Sequence, residues 1–280
     1  MKVISLPDRL GRAPIPPAPP PASSSAELAE ALDRINSLAT HSAHVFTSPL
    51  GPFDQEGETF WLPRYVFVGE SAAEEAWRVA IYAGLDGTDA RSTLAVLRTL
   101  ERFVLEPALG DSFNLVFYPL INPSGWRDGT RRTRAGHLLS EQNWLRSPAP
   151  ELRLLERDAR ALQFHGVFVV RSEADIDDLH GWLRGFSPGE PFLHAEPVHG
   201  TSKAGYLPFK FPVHWEPNAE GLHAETGPLT LAEDWQGTPF EASLLVPATL
   251  PVKWAEQAVA HTLRVFLNNW RTSVATGQNI

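Results

Sequence analysis

Cysteine is absent from this 280-residue chain, which removes disulfides, thiolate metal ligands and a cysteine nucleophile together. No stretch of about 18 apolar residues runs without a charge, so the sequence offers no transmembrane helix and no membrane partner is expected. Positive charge is in short supply: 24 Lys and Arg stand against 33 Asp and Glu, a formal net charge of -9. That balance argues against a nucleic-acid backbone as partner. Met1 to Leu10 carries Lys2, Asp8 and Arg9 where a secretory signal needs about 7–15 apolar residues, and a cytoplasmic location is the expectation. Missing too are Gly-x-Gly-x-x-Gly, a Walker loop, Gly-x-Ser-x-Gly and His-Glu-x-x-His. Any chemistry must come from carboxylates, histidines, hydroxyls and arginines, on one large domain of ordinary apolar content, 43%.

Proline, by contrast, is abundant at 25 residues, and seven of these fall between Pro7 and Pro21. Residues 1–25 read as a polyproline arm closed by a serine tract; the two readings are a stiff spacer and a ligand for an SH3 or WW-type domain. Residues 26–280 read as a single α/β domain. Ser25 offers an N-cap for a helix over Ala26–Leu38, with Leu28, Leu32, Ile35 and Leu38 at helical spacing. Residues 42–70, rich in aromatic and β-branched positions, predict an antiparallel pair of strands. Strand Trp77–Ala83, helix 90–105, strand Phe113–Pro119, helix Ala149–Ala161 and strand Val167–Val170 then alternate. A further helix is predicted over Ser172–Leu183, then Pro-rich strands, and a last helix over Val252–Trp270. This alternation predicts a mixed, largely parallel twisted sheet flanked by helices. Ligands bind such sheets at the carboxyl ends of the strands, so the turns at 84–89, 119–136 and 223–227 are the places to search.

Those turns hold the chemically capable residues. Gly84-Leu-Asp-Gly-Thr-Asp89 carries Asp86 and Asp89, which alone read as an Asx turn and a helix N-cap. Asn122-Pro-Ser-Gly125 precedes Arg131, Arg132 and Arg134, which alone read as a solvated loop cluster. Gly136 to Trp144 contains Asn143, with Arg146 just beyond, and Gly221-Leu-His-Ala-Glu-Thr-Gly-Pro228 contains Glu225. His165 follows a predicted helix; His180 sits in Asp177-Asp-Leu-His-Gly181 within another. His194, His199, His214 and His223 lack metal-ligand spacing and read as loop residues.

Taken in order, these segments resemble the zinc carboxypeptidases and their succinylglutamate desuccinylase/aspartoacylase relatives over most of residues 65–270. In that family the first turn reads Gly-x-His-Gly-x-Glu and supplies two zinc ligands, whose matched positions here are Asp86 and Asp89. An Asn-Pro-x-Gly strand end precedes an arginine that binds and polarises the substrate carbonyl, matched by Arg131. A Gly-x-x-Leu-Asn-Arg segment grips a terminal carboxylate; Asn143 is kept, Trp144 replaces the arginine, and Arg146 lies two residues on as a substitute. The family's general base, on an apolar-Thr-x-Glu-Thr-Pro strand, is matched by Glu225. A histidine ligand from a middle strand is implied: His165 has the expected place after the helix, His180 reproduces the family's Asp-Leu-His, and a site reached by neither is the third alternative.

The resemblance implies a metallohydrolase acting on peptide or amide bonds of small peptides or acyl-amino acids. Two histidines and a glutamate leave zinc a formal charge of +1, which helps bring its bound water to a pKa of about 7. An Asp86, Asp89 and His165 set cancels that charge and reaches less far, and oxygen-rich ligands suit Mn²⁺ or Mg²⁺ better. The cofactor expectation is zinc by resemblance, replaced by another divalent metal or by none. The competing expectation is a catalytically inactive binding or regulatory module that recognises a carboxylated ligand through Arg131, Arg132 and Asn143.

Overall fold

The computed structural model describes residues 22–70, 76–140, 147–184, 201–202, 205–206, 214–217 and 240–277. In chain order the elements are α1 (Ala22–His41), β1 (Val45–Thr47), β2 (Leu50–Gln55), β3 (Glu58–Leu62), β4 (Tyr65–Val68), β5 (Trp77–Tyr82) and α2 (Ala90–Leu105). A 3-10 turn (Pro107–Gly110), β6 (Phe113–Tyr118), α3 (Pro123–Asp128), α4 (Pro150–Leu162), β7 (Gly166–Glu173) and β8 (His180–Arg184) follow. The chain then passes through β9 (Thr201–Ser202), β10 (Gly205–Tyr206), β11 (His214–Pro217), β12 (Phe240–Pro247) and α5 (Val252–Gly277). Helix α1 starts at Ala22, ahead of the serine tract and of the Ser25 cap that the sequence suggests.

Eight strands form one sheet in the order β1-β4-β6-β5-β7-β12-β8-β11. The central four, β6, β5, β7 and β12, are mutually parallel, while β4 runs antiparallel to both its neighbours and β8 antiparallel to β12 but parallel to β11. The expected mixed, largely parallel sheet between helices is therefore present. The carboxyl ends of the central strands, at Tyr118, Tyr82, Glu173 and Pro247, share one rim.

Period-2 alternation sorts the sheet's side chains between two cores. Val79, Ile81, Leu115, Phe117, Phe168, Val170, Ala242 and Leu244 meet α1, α2 and α5. The alternate residues Ala80, Tyr82, Val116, Tyr118, Val167 and Val169 meet α4 and the separate β2–β3 hairpin. Among the described residues no helix is long and apolar enough to cross a membrane.

One predicted element is overturned. Residues 172–183 are not a helix: Ser172 and Glu173 continue β7 in register with Val246 and Pro247 of β12, and β8 begins at His180. The helical spacing of Ile176, Leu179, Trp182 and Leu183 is incidental. In β8, Leu183 is buried at 1% exposure and its neighbour Trp182 is 41% exposed, the alternation of a strand. Pairing with β12, 74 residues on by the register Ser172↔Val246, supplies the backbone partners, and no local pattern reveals that.

Two polar attachments hold α4 in place. Arg64 donates from Nη1 to Asp158 at 2.5 Å and from Nε to the Ser48 carbonyl at 2.7 Å, and the Tyr118 hydroxyl donates to the same Asp158. Near the helix start, the buried Gln55 amide of β2 donates to buried Glu151 at 2.6 Å.

Burial pushes the Glu151 carboxyl up to about 7, and its hydrogen bonds only partly oppose this. The folded protein thus keeps a proton there that the unfolded chain releases near 4.5, so the associated stability is present at low pH and lost as pH rises through about 7. Glu151→Gln is expected to remove this loss. Between pH 5 and 8 wild type should lose roughly 2–3 kcal/mol relative to the variant, read from denaturant midpoints. Parallel pH profiles for the two proteins would refute the assignment.

Candidate functional site

The rim is built by two loops that share backbone hydrogen bonds. After β5, the Ala83 N–H donates to Tyr118 O at 3.0 Å; after β6, the N–H groups of Ile121 and Asn122 donate back to Ala83 O and Gly84 O at 3.2 and 2.8 Å. Two glycines permit this approach. Gly84 has φ +66°, and a Cβ there would meet Leu120 Cα and Pro119 O, both at 2.9 Å. A Cβ on Gly87 would meet the Gly125 carbonyl carbon at 2.3 Å. Asn122 fastens the assembly: its side-chain oxygen accepts from Gly125 N–H at 2.8 Å, capping α3, while its amide donates to Leu85 O at 3.3 Å and Arg131 O at 3.1 Å.

Asp86 and Asp89 both sit on this rim, and every oxygen they carry is occupied by a protein donor. Asp86 Oδ1 accepts from the Thr88 N–H at 2.8 Å and the Thr88 hydroxyl at 2.6 Å. Its Oδ2 accepts from Arg131 Nε at 2.7 Å. Asp89 is the N-cap of α2, with Oδ1 on the Ser92 N–H at 3.0 Å. The end of β7 completes it: Ser172 donates its hydroxyl to Asp89 Oδ1 at 2.7 Å and its N–H to Oδ2 at 2.8 Å. Sequence reasoning found both aspartates and Arg131 but missed Ser172, whose placement follows from the β7 ladder, and Thr88, whose Asx-turn position was the available signal.

His165 is not part of this site. It opens β7 rather than closing it, its backbone N–H bonded to Arg78 O at 2.8 Å and its Nδ1 accepting from the Arg78 N–H at 2.9 Å. Its ring meets Trp77 edge-on at 5.0 Å. From there to Ser172 the strand spans about 23 Å at the rise of extended chain, so His165 cannot share an ion with Asp86 and Asp89. Burial, with Arg78 beside it, pushes the imidazole down to about 4, so this half-buried ring is neutral at pH 7. His180 lies nearer the rim, opposite Leu245, which pairs with Arg171; that is two strands, about 10 Å, from β7. Asn143, Arg146 and Glu225 lie outside the described residues.

Among the described residues no three His, Asp or Glu side chains converge as metal ligands do. The side chains present do not fit a zinc ion: the two carboxylates are committed to hydrogen bonds, and a guanidinium already neutralises one of them.

Beside the aspartates, the 130–136 loop and Glu56 of the β2–β3 turn line a cavity of about 580 Å³. Its arginines differ in kind. Arg134 is saturated, donating to both Asp128 oxygens at 2.9 and 2.5 Å and pairing with Glu58 at 2.6 Å; the pairing holds the Asp128 carboxyl below its usual range. Arg132 uses Nη1 on Gly136 O at 2.9 Å. Arg131, 60% exposed at its side chain, is held through Nε alone among the described residues.

No model of a protein family matches the chain in sequence, and no curated protein matches it. Solved structures do match in shape. A protein provisionally named a metallopeptidase from Shewanella denitrificans superposes with a TM-score of 0.58 at 18% identity, over 88% of each chain. A metallo-carboxypeptidase from Burkholderia cenocepacia gives 0.62 at 17% identity, over 85% of this chain and 67% of the other. Carboxypeptidase A from Helicoverpa armigera gives 0.56 at 14% identity, over 87% and 72%. The chain has a zinc carboxypeptidase-like fold.

The two aspartates should differ in structural weight. Asp89→Ala removes a helix cap and leaves the Ser172 donors without an acceptor, and is expected to cost about 1–3 kcal/mol. Asp86→Ala breaks a largely exposed pair and should cost less than about 1 kcal/mol. Urea unfolding of both variants checks the order; equal losses would contradict the assignment.

Proposed function

We propose that this carboxypeptidase-like scaffold binds a small carboxylated ligand, a peptide C-terminus or an acyl-amino acid, through Arg131 and Arg132 without a zinc-activated water. The observation that carries the reading is the full hydrogen-bond occupancy of Asp86 and Asp89, with Arg131 supplying the local positive charge. A guanidinium is planar and forked, which suits bidentate recognition of a carboxylate, and both arginines keep donors with no described acceptor beside an open cavity. That a protein of this fold is named as a metallo-carboxypeptidase supports a peptide C-terminus as the ligand class. Asn143 and Arg146 remain candidates for a second contact to the ligand.

The competing reading is a hydrolase with a divalent metal on Asp86, Asp89 and a further ligand, with Glu225 as general base; the names of the structural neighbours favour it. Two measurements separate the readings. Purified protein should carry well under one equivalent of zinc by elemental analysis, and its melting temperature should not move on chelation; stoichiometric zinc overturns the binding reading. Hippurate should raise the melting temperature, and Arg132→Ala should weaken its affinity about tenfold, the loss of one charge-assisted contact. If instead the protein hydrolyses acyl-amino acids and Glu225→Gln abolishes the activity, the hydrolase reading stands.

A further inference from the structure

The geometry points to Asp86 as a positioning residue for Arg131: it holds the guanidinium by its Nε edge and leaves both terminal nitrogens for the ligand's carboxylate. The inference rests on the reading of Arg131 as a carboxylate-binding group and adds to it the origin of that group's orientation. The position matches that of a metal ligand in the resembling family, and here its carboxylate serves a different end.

An exposed arginine samples many rotamers, and ordering it on binding costs conformational entropy. Asp86 removes part of that cost in advance through the 2.7 Å contact from Arg131 Nε to its Oδ2. The carboxylate is itself fixed, because its other oxygen takes both the N–H and the hydroxyl of Thr88. The backbone beneath Arg131 is fixed as well, its carbonyl accepting from the buried Asn122 amide at 3.1 Å and the preceding Thr130 N–H donating to Gly125 O at 2.8 Å. Both ends of the pair are anchored to the same two interlocked loops. Arg134 supplies the contrast: Asp128 and Glu58 engage its Nε and both terminal nitrogens and offset its charge with two carboxylates, which leaves it less to offer a ligand. Arg131 is engaged at one nitrogen.

The charge of Asp86 also offsets the attraction of Arg131 for an anion, so orientation and charge act in opposite directions. Two substitutions separate them. Asp86→Asn keeps an oxygen acceptor for Nε and removes the charge; Asp86→Ala removes both. Calorimetric titration of the full-length protein with hippurate should show Asp86→Ala binding about two- to tenfold more weakly than wild type. Asp86→Asn should recover most of that affinity or exceed it. Thr88→Val, which loosens Asp86 and leaves it in place, should shift affinity in the direction of Asp86→Ala by a smaller factor, a check that stands if Asp86→Ala folds poorly. Ala binding as tightly as wild type, or Asn as weak as Ala, overturns the inference and leaves the binding reading intact. Wild type that binds no hippurate removes the binding reading itself.

Discussion

Two carboxylates placed three residues apart at the end of a central strand must be neutralised, since like charges held in one turn repel and each oxygen needs a donor. This chain meets that requirement with covalently attached groups. Thr88 and Arg131 satisfy Asp86, and Ser92 and Ser172 satisfy Asp89. The result ties the β5–α2 turn to the end of β7 and to the loop after α3, three segments distant in sequence, and brings the cavity-lining arginines beside the aspartates.

The rest of the architecture protects that arrangement. The sheet is covered on both faces, so its rim cannot open by sliding a helix away without exposing one of two apolar cores. Gly84 and Gly87 admit a backbone approach that any side chain would block. Asn122 satisfies three backbone groups of the interlocked loops with one buried amide. On the far side, the Arg64–Asp158–Tyr118 cluster and the Gln55–Glu151 pair seat α4 and the hairpin that supplies Glu56 to the cavity wall. Polar groups here are thus spent mainly on joining segments, while Arg131 and Arg132 at the cavity keep N–H groups with no acceptor among the described residues.

Much of this was legible in the sequence because the signals were local. Helix α2 has the predicted bounds, 90–105, since its apolar spacing and its Asp89 cap lie within one segment. The strand–turn–helix with its two glycines and the Asn-Pro-Ser-Gly turn were likewise recognisable from adjacent residues. What failed depended on pairing at a distance. The 172–183 segment imitates an amphipathic helix and becomes strand because β12 pairs with it. Ser172 reaches Asp89 for the same reason. His165 was placed by its order after a helix, although the rule that ligands gather at carboxyl ends already disfavoured the first residues of a strand. It is a half-buried histidine packed against Trp77.

The difference between a metal and an arginine in this position extends to what the site can discriminate. A metal ion polarises a carbonyl and activates water, and accepts oxygen ligands from any direction its coordination leaves open. A guanidinium does neither chemical task, but it recognises a planar anion in one orientation through paired donors. An arginine tethered at Nε by a fixed carboxylate adds directionality, since only its outer edge remains available. Under the proposed reading, the scaffold would exchange a reactive centre for a directional receptor. Its selectivity would then rest on the angle at which Asp86 holds Arg131, a property carried by loop geometry and hydrogen bonds.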